Sequence, residues 1–147
     1  MKKIILIAFT MICSSTFLLG QKTTNANGIL GIWLSEKKDG KVEIYKQGDK
    51  YFGKLIWGKT MFETDGLTSK KDVNNTDLKL KTRNLKDLII LTDFIFNDGV
   101  WSEGKIYDPE VGKTYSCTMK LKSNVLNIRG YIGISLFGRS SEWTRVK

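Results

Sequence analysis

Residues 88–131 have the sequence LIILTDFIFNDGVWSEGKIYDPEVGKTYSCTMKLKSNVLNIRGY. Apolar and polar side chains alternate through most of this stretch, a period of two that is typical of β-strands with one buried face. Turn-forming residues interrupt the alternation at positions 97–99, 108–112 and 122–124. Such clusters favour tight reversals between antiparallel strands. The stretch therefore predicts four strands joined by three hairpins.

The rest of the chain extends the same pattern. Further strands are predicted at residues 31–36, 42–46, 51–57 and 139–146. Because all but one of the eight strands follow their neighbours through short turns, we expect an all-β fold, a single antiparallel up-and-down β-barrel. Closure of a barrel removes the exposed edges that an open sheet would present. A two-sheet sandwich is the structural alternative.

The one long connection, residues 58–87, is rich in Lys, Asp, Asn and Thr. Loops beyond about 15 residues are usually functional, so we expect a lid over the barrel mouth, with a solvated excursion as the alternative. Its Asx side chains could supply oxygen ligands to calcium, although such residues more often cap their own turns. We favour turns and expect no metal site. The Asx residues concerned are Asp72, Asn74, Asn75 and Asp77.

The N-terminus predicts an export signal. Lys2 and Lys3 precede an apolar run at residues 4–19, which is shorter than the roughly 20 apolar residues of a membrane-spanning helix. We therefore expect a signal peptide helix at residues 1–21 and a secreted or periplasmic protein, not an integral membrane protein. Cleavage sites that fit are those after Gly20, Gln21 and Ala26.

Beyond the signal peptide we expect a flexible segment, residues 22–28, and one barrel domain, residues 29–147. Loss of residues 1–21 leaves 22 basic and 15 acidic side chains, a net charge of +7. That charge favours contact with an anionic envelope component, either lipid or polysaccharide, unless it serves only solubility. The composition does not predict an oligomeric state.

The absence of histidine removes the commonest general base and transition-metal ligand. Cys117 lies on the apolar face of a predicted strand, so we expect a buried core residue rather than a nucleophile. The polar residues that most resemble a catalytic group are not spaced in a way that predicts a shared pocket, and residues 108–112 are explained as a turn. We expect no catalytic residue, no enzyme activity and no cofactor. That polar set is Lys105, Tyr107, Asp108, Glu110 and Arg129.

Aromatic residues make up 11% of the chain, and small-molecule pockets are mostly apolar with a few placed polar groups. We therefore expect a small lipophilic or amphipathic ligand inside the barrel. A barrel filled by its own side chains is the alternative. Basic and aromatic residues also alternate as in platforms for single-stranded nucleic acid, but export argues against a nucleic-acid partner. The predicted ligand-binding residues are Trp57, Trp101, Tyr107, Tyr115, Arg129 and Tyr131.

Two features at opposite ends of the chain resemble the calycin barrels, which include the lipocalins. They are a Gly-x-Trp motif at Gly31 and Trp33 on the first strand, and Arg145 on the last. The resemblance implies that Trp33 plugs one end of the barrel and that the Arg145 guanidinium stacks on the indole. These residues are then structural, and the fold is lipocalin-like.

The whole mature chain is similar to the bacterial family called domain of unknown function 2147. Within its turn motif, Asp108, Pro109 and Gly112 are expected to be structural. The chain departs from the family in the long connection, where it lacks a proline after Asn75 and a glycine near Lys86. The resemblance implies an exported barrel but no activity. It rests on blocks at positions 31–33, 42–45, 51–57, 104–110, 112–115, 129–133, 136–139 and 143–145.

Overall fold

The computed structural model describes residues 24–147, which form eight antiparallel strands in one closed barrel. Each strand pairs with its neighbours in sequence, and the last pairs with the first. The predicted up-and-down barrel is confirmed, and the sandwich alternative is wrong. The predicted signal peptide lies outside the described residues. The strands are β1 (Gly31–Leu34), β2 (Gly40–Gln47), β3 (Lys50–Gly58), β4 (Leu88–Asn97), β5 (Val100–Asp108), β6 (Lys113–Lys122), β7 (Val125–Tyr131) and β8 (Arg139–Arg145).

Strand direction gives the barrel two different ends. One end, which we call the floor, carries a 3₁₀ helix (Ala26–Ile29) and the turns after β2, β4 and β6. The other end, which we call the mouth, carries the connections after β1, β3, β5 and β7, including a second 3₁₀ helix (Ser135–Phe137). No helix in residues 24–147 is long and apolar enough to cross a bilayer.

Large side chains fill the middle of the barrel. A Cβ added to Gly104 would fall 2.4 Å from the ring of Phe94, and one added to Gly53 would fall 2.7 Å from Leu91. Both glycines therefore leave room for a neighbouring core side chain. The central core residues, each buried, are Trp33, Ile44, Tyr51, Leu91, Phe94, Trp101, Cys117, Met119 and Leu126.

The floor is closed by the motif that joins the two chain ends. Trp33 is fully buried, and its indole N–H donates to the Ile29 carbonyl at 2.7 Å. The Arg145 guanidinium lies 4.3 Å from the Trp33 ring centre and donates to the carbonyls of Leu30 and Gly28. The Arg145 guanidinium thus stacks on the Trp33 indole, the contact that the resemblance implies.

Gly31 belongs to the same arrangement for a conformational reason. Its φ is +119°, a value that side-chain-bearing residues rarely adopt, and a Cβ there would lie 3.0 Å from the Arg145 guanidinium. The 3₁₀ helix just before it packs Ile29 into the core. Structured chain therefore begins inside the segment predicted to be flexible, residues 22–28, and before the predicted domain boundary at residue 29.

The long connection is folded against the barrel rather than extended into solvent. Short β-bridges join Phe62 to Ser69 and Lys71 to Asn84, and Met61 is buried. Two backbone hydrogen bonds, from Lys70 to Met61 and from Asp72 to Arg83, close its loops. The long connection is therefore an ordered part of the mouth.

The turn at residues 108–112 has the geometry expected from its sequence. The Gly112 N–H donates to the Asp108 carbonyl at 2.8 Å, and the Asp108 carboxylate accepts from the Glu110 N–H at 2.9 Å. Gly112 has φ +67°, and a Cβ there would overlap the Asn74 carbonyl. Gly112 is thus needed twice, for the left-handed turn and for close contact with the long connection.

Candidate functional site

A half-open pocket of about 470 Å³ lies at the mouth, between the long connection and the strands β4, β5 and β6. Pockets for small molecules usually measure about 300–1,000 Å³. The apolar wall comes from Leu80, Ile89, Ile90, Tyr115 and Ile132. The polar lining includes Asn75, Thr76, Arg83, Thr92, Lys105, Tyr107, Lys113 and Thr114.

One side of the pocket is fixed by a buried hydrogen-bond cluster, which we call the mouth network: Asp72, Asn75, Arg83 and Tyr107. The Tyr107 hydroxyl donates to Asp72 at 2.6 Å and accepts from the Asn75 amide at 3.0 Å. The Arg83 Nε and the Asn75 amide donate to the other Asp72 oxygen, at 2.8 and 2.9 Å. The network ties the long connection to β5 across 35 positions of sequence.

The charges in this network are set by those contacts. Burial raises the pKa of Asp72, but hydrogen bonds from Tyr107, Asn75 and Arg83 outweigh it and leave the pKa below its ordinary value. Burial, together with the Asp72 carboxylate, raises the pKa of Tyr107. At neutral pH the network therefore holds a carboxylate, a neutral phenol and a guanidinium, and the opposite charges of Asp72 and Arg83 are paired.

Two other cations in the pocket have no such partner. Lys105 and Lys113 are both exposed, and neither has a carboxylate within ion-pair distance in residues 24–147. The Arg83 guanidinium is already paired with Asp72 and also lies 5.0 Å from the Tyr107 ring centre. Lys105 and Lys113 are therefore the charges available to an anionic group in this pocket.

The residues predicted to bind ligand divide between three places. Tyr107 and Tyr115 line the mouth pocket. Trp101 is fully buried in the core, where its ring contacts Phe96 and Tyr51, and its indole N–H has no hydrogen-bond partner in residues 24–147. The other three residues do not face the interior, for the two reasons that follow.

The expectation that Trp57 faces the interior is wrong because β3 carries one extra residue there. Val42 pairs with Leu55, both buried, whereas Lys41 pairs with Trp57, so Ile56 is the added residue. A bulge of this kind shifts the alternation of faces by one position. Trp57 is 37% exposed on the outer surface, and the Lys41 ammonium lies 5.5 Å from its ring centre.

The inward orientation expected for Arg129 and Tyr131 is also wrong. Leu126 and Ile128 point into the core, so odd-numbered positions of β7 face outward. The Arg129 guanidinium donates to the carbonyls of Ser135 and Leu136 at 2.7 and 3.0 Å and to the Ser140 hydroxyl at 2.9 Å.

The polar set considered for catalysis is not assembled. Tyr107 is held by Asp72, and Asp108 caps its own turn. Arg129 lines a second open pocket, about 410 Å³, on the outer wall with Lys120 and Ser140. Cys117 is buried as expected, and burial raises the pKa of its thiol to about 12. These positions support no shared proton-transfer geometry.

Most of the oxygens considered for calcium already accept hydrogen bonds from protein donors. Asp72 accepts from Tyr107 and Arg83, as described above. The Asn75 side-chain oxygen accepts from the Asp77 N–H at 2.8 Å, and Asp77 accepts from the Lys79 N–H at 2.9 Å. Asn74 turns its amide toward the Pro109 and Glu110 carbonyls. The Asn75 and Asp77 side chains cap local turns, the arrangement favoured from the sequence. Asp72 instead binds Tyr107 on β5, and Asn74 binds the turn that follows β5.

The mouth network was not predicted from the sequence, although one feature pointed to it. Arg83 is the single arginine among the basic residues of positions 58–87, where lysine is otherwise used. Arginine presents a fixed fork of donors that suits carboxylates, which lysine does not. A lone arginine in this connection was therefore a reason to predict a structural ion pair with one of its carboxylates.

The comparisons with known proteins agree with this fold. Residues 31–145 match the family model described as "Uncharacterized protein conserved in bacteria (DUF2147)", and the chain belongs to this family. Among solved structures, it is similar to protein HP1028 from the human pathogen Helicobacter pylori, which is described as belonging to the lipocalin family. The two share 27% identity with a TM-score of 0.70, over 80% of this chain and 82% of that chain. No curated protein matches the sequence.

Proposed function

We propose that this member of the DUF2147 family is a binding protein that takes a small amphipathic ligand with an anionic group into its mouth pocket. The observation that carries the proposal is the pairing, in one open pocket, of an apolar wall with two unpaired lysines. The lipocalin-like barrel supports it, since an eight-stranded barrel can hold one small ligand.

The apolar part of the ligand would lie against the side chains from β4, β6 and the two mouth connections. Ile90 is buried, whereas Ile89 and Ile132 are 45% and 76% exposed. Covering exposed apolar surface stabilises a complex by about 25 cal/mol per Å². An alkyl chain or ring that covers Ile89 and Ile132 therefore gains affinity without displacing any core side chain.

The anionic part would lie at Lys105 and Lys113. A carboxylate or phosphate there would make charge-assisted hydrogen bonds, which are stronger than neutral ones. The fixed Asp72–Arg83 pair does not compete for it, because the Asp72 carboxylate is buried and fully hydrogen-bonded. The pocket thus favours an acid over a neutral or cationic molecule of the same shape.

This proposal places the ligand nearer the mouth than the interior site expected from the sequence. Phe94 and Leu91 occupy the space beside Gly104 and Gly53, so a ligand deeper in the barrel would have to displace them. Export remains part of the proposal and is supported by the basic start and apolar run of residues 1–21. Intact mass of the protein recovered outside the cytoplasm would test it, and a chain that still carries residues 1–21 would contradict export.

The test of binding is a fluorescence titration with dansyl-undecanoic acid. The double variant Lys105→Gln, Lys113→Gln should bind at least about tenfold more weakly, because each charge-assisted hydrogen bond contributes about 1.5–3 kcal/mol. Lys122→Gln, a lysine at the floor end, is the matched control and should change affinity less than about twofold. Equal affinity in all three proteins would contradict the proposed site, and no binding to the unaltered protein would contradict the proposed ligand class.

A further inference from the structure

The large apolar side chains that stay exposed are gathered at the mouth. Residues 24–147 contain twelve of them, and Ile95 is the one that lies toward the floor. Apolar side chains scattered over a surface need no explanation, whereas a collection on one side indicates an interaction surface. Because these residues come from three of the four mouth connections and the adjoining strand ends, the fold itself brings them together.

The densest part of this collection is the connection from β7 to β8, which we call the mouth segment (residues 132–138). Ile132, Ile134, Leu136 and Phe137 are 76%, 60%, 74% and 79% exposed. With so much of each side chain in solvent, the four can cover one another only slightly. They stand out from the barrel end as separate apolar groups.

The mouth segment is held in this conformation by β7. The Arg129 guanidinium binds the carbonyls of Ser135 and Leu136, as described above, and the Gly138 N–H donates to the Ser135 carbonyl at 3.1 Å. A Cβ on Gly138 would lie 2.7 Å from the Gly130 carbonyl, so the segment packs directly on the strand. Its backbone is therefore ordered before any partner binds, which lowers the entropic cost of binding.

Positive charge accompanies the apolar groups. Arg139 follows the mouth segment directly, and Lys105 and Lys113 line the pocket that Ile132 shares. Residues 58–87, which form the opposite side of the mouth, hold seven basic and five acidic side chains. The acidic groups Asp108 and Glu110 lie on the turn between these regions.

We propose that the mouth docks end-on onto an anionic lipid bilayer, with the mouth segment inserted at the boundary between headgroups and acyl chains. Amphipathic surfaces of this kind insert about 5–10 Å and add attraction between cations and anionic headgroups. A fluid acyl layer can surround four separate side chains, whereas a protein partner would need a shaped pocket for each. This docking surface is independent of whether the pocket binds a ligand.

The test is depth-dependent fluorescence quenching on vesicles of phosphatidylglycerol and phosphatidylcholine that carry doxyl-labelled lipid. Phe137→Cys at the mouth and Lys122→Cys at the floor would each be labelled with bimane maleimide, with Cys13 replaced by Ser. Cys117 is fully buried, so it does not compete for the label. The first described helix, Ala26–Ile29, lies at the floor, so the label at position 122 reports binding at that end of the barrel.

The expected result is quenching and a blue shift at position 137 and neither at position 122. Quenching at neither position, or at position 122 alone, would overturn the proposal. As a second measurement, Leu136→Ser with Phe137→Ser should lower vesicle partitioning at least about tenfold, because exposed side chains lose their burial in lipid. Ile95→Ser, the exposed apolar residue outside the mouth, should change it less than about twofold.

Failure to bind vesicles, together with self-association through the mouth segment, would also overturn the proposal. Sedimentation velocity of the same variants distinguishes this outcome. In that case Leu136→Ser with Phe137→Ser would abolish the dimer, and the segment would be an interface between two copies of the chain.

Discussion

The floor of the barrel is closed by an indole and a guanidinium packed over the core, whereas the mouth is organised by a polar network with apolar side chains left in solvent. At the floor, Trp33 is fully buried under Arg145. At the mouth, Asp72 and Tyr107 hold a long connection in place while Ile132 and Phe137 remain exposed. The difference is the basis of our proposal that the floor serves stability and the mouth contacts other molecules.

The energetics of the two ends should differ accordingly. Burial of large apolar groups is the dominant source of folding stability. A polar network adds less net free energy, because its groups exchange water for protein partners, but it fixes geometry. Each of the following substitutions tests whether the two ends differ in this way.

The largest effect should come from the floor. Trp33→Ala removes a fully buried indole and leaves Arg145 without its stacking partner, so the free energy of unfolding should fall by about 3–5 kcal/mol. Trp57→Ala, the same change at an exposed position near the mouth, should cost less than about 1 kcal/mol. Urea denaturation measures both. Similar losses for the two variants would break the contrast between the ends.

An intermediate effect is expected from the mouth network. Asp72→Asn removes the charge that Arg83 and Tyr107 bind, at a cost of about 1–3 kcal/mol. Hydrogen exchange should speed up in residues 58–87 and remain slow in β1 and β8. Tyr107→Phe should act on the same bond, so the double variant should lose less than the sum of the two. Strict additivity would show that the network is not one unit.

A smaller effect should appear on acidification. Because hydrogen bonds hold the pKa of Asp72 below its ordinary value, its stabilising contribution is present above the unfolded-state pKa, about 3.9, and is lost as pH falls through the folded-state value. The unaltered protein should therefore lose stability below about pH 4 more steeply than Asp72→Asn. Urea midpoints across this range check the difference. Parallel curves would show that Asp72 is not favoured as a carboxylate in the folded state.

The floor could be predicted from the sequence because it depends on strand alternation, hairpin turns and a short motif. Gly31, Trp33 and Arg145 carry that motif, and residues 88–131 carry the alternation. The alternation is a local pattern, whereas the stacking of Arg145 on Trp33 is what the resemblance to the calycin barrels implies. The strand order then follows from the short connections.

The mouth was predicted less well for two physical reasons. One bulged residue in β3 is enough to turn Trp57 outward. The alternation of apolar and polar residues in the sequence does not reveal such a bulge. The network joins Asp72 to Tyr107 across 35 positions, so it depends on how the long connection folds back. The outward orientation of Arg129 could have been predicted from the sequence, since the apolar residues Leu126 and Ile128 indicate that the opposite face of β7 is buried.

The most direct test of the claim that the mouth binds and the interior does not is a chemical-shift titration with dansyl-undecanoic acid. The four tryptophan indole N–H groups lie at distinct places, with Trp33 and Trp101 fully buried. We predict shifts at the backbone amides of Thr92, Lys105 and Tyr115, with the Trp33 and Trp101 indole signals unmoved. A shift of the Trp101 indole, whose N–H has no hydrogen-bond partner in residues 24–147, with unchanged mouth amides would contradict the account and place the ligand inside the barrel.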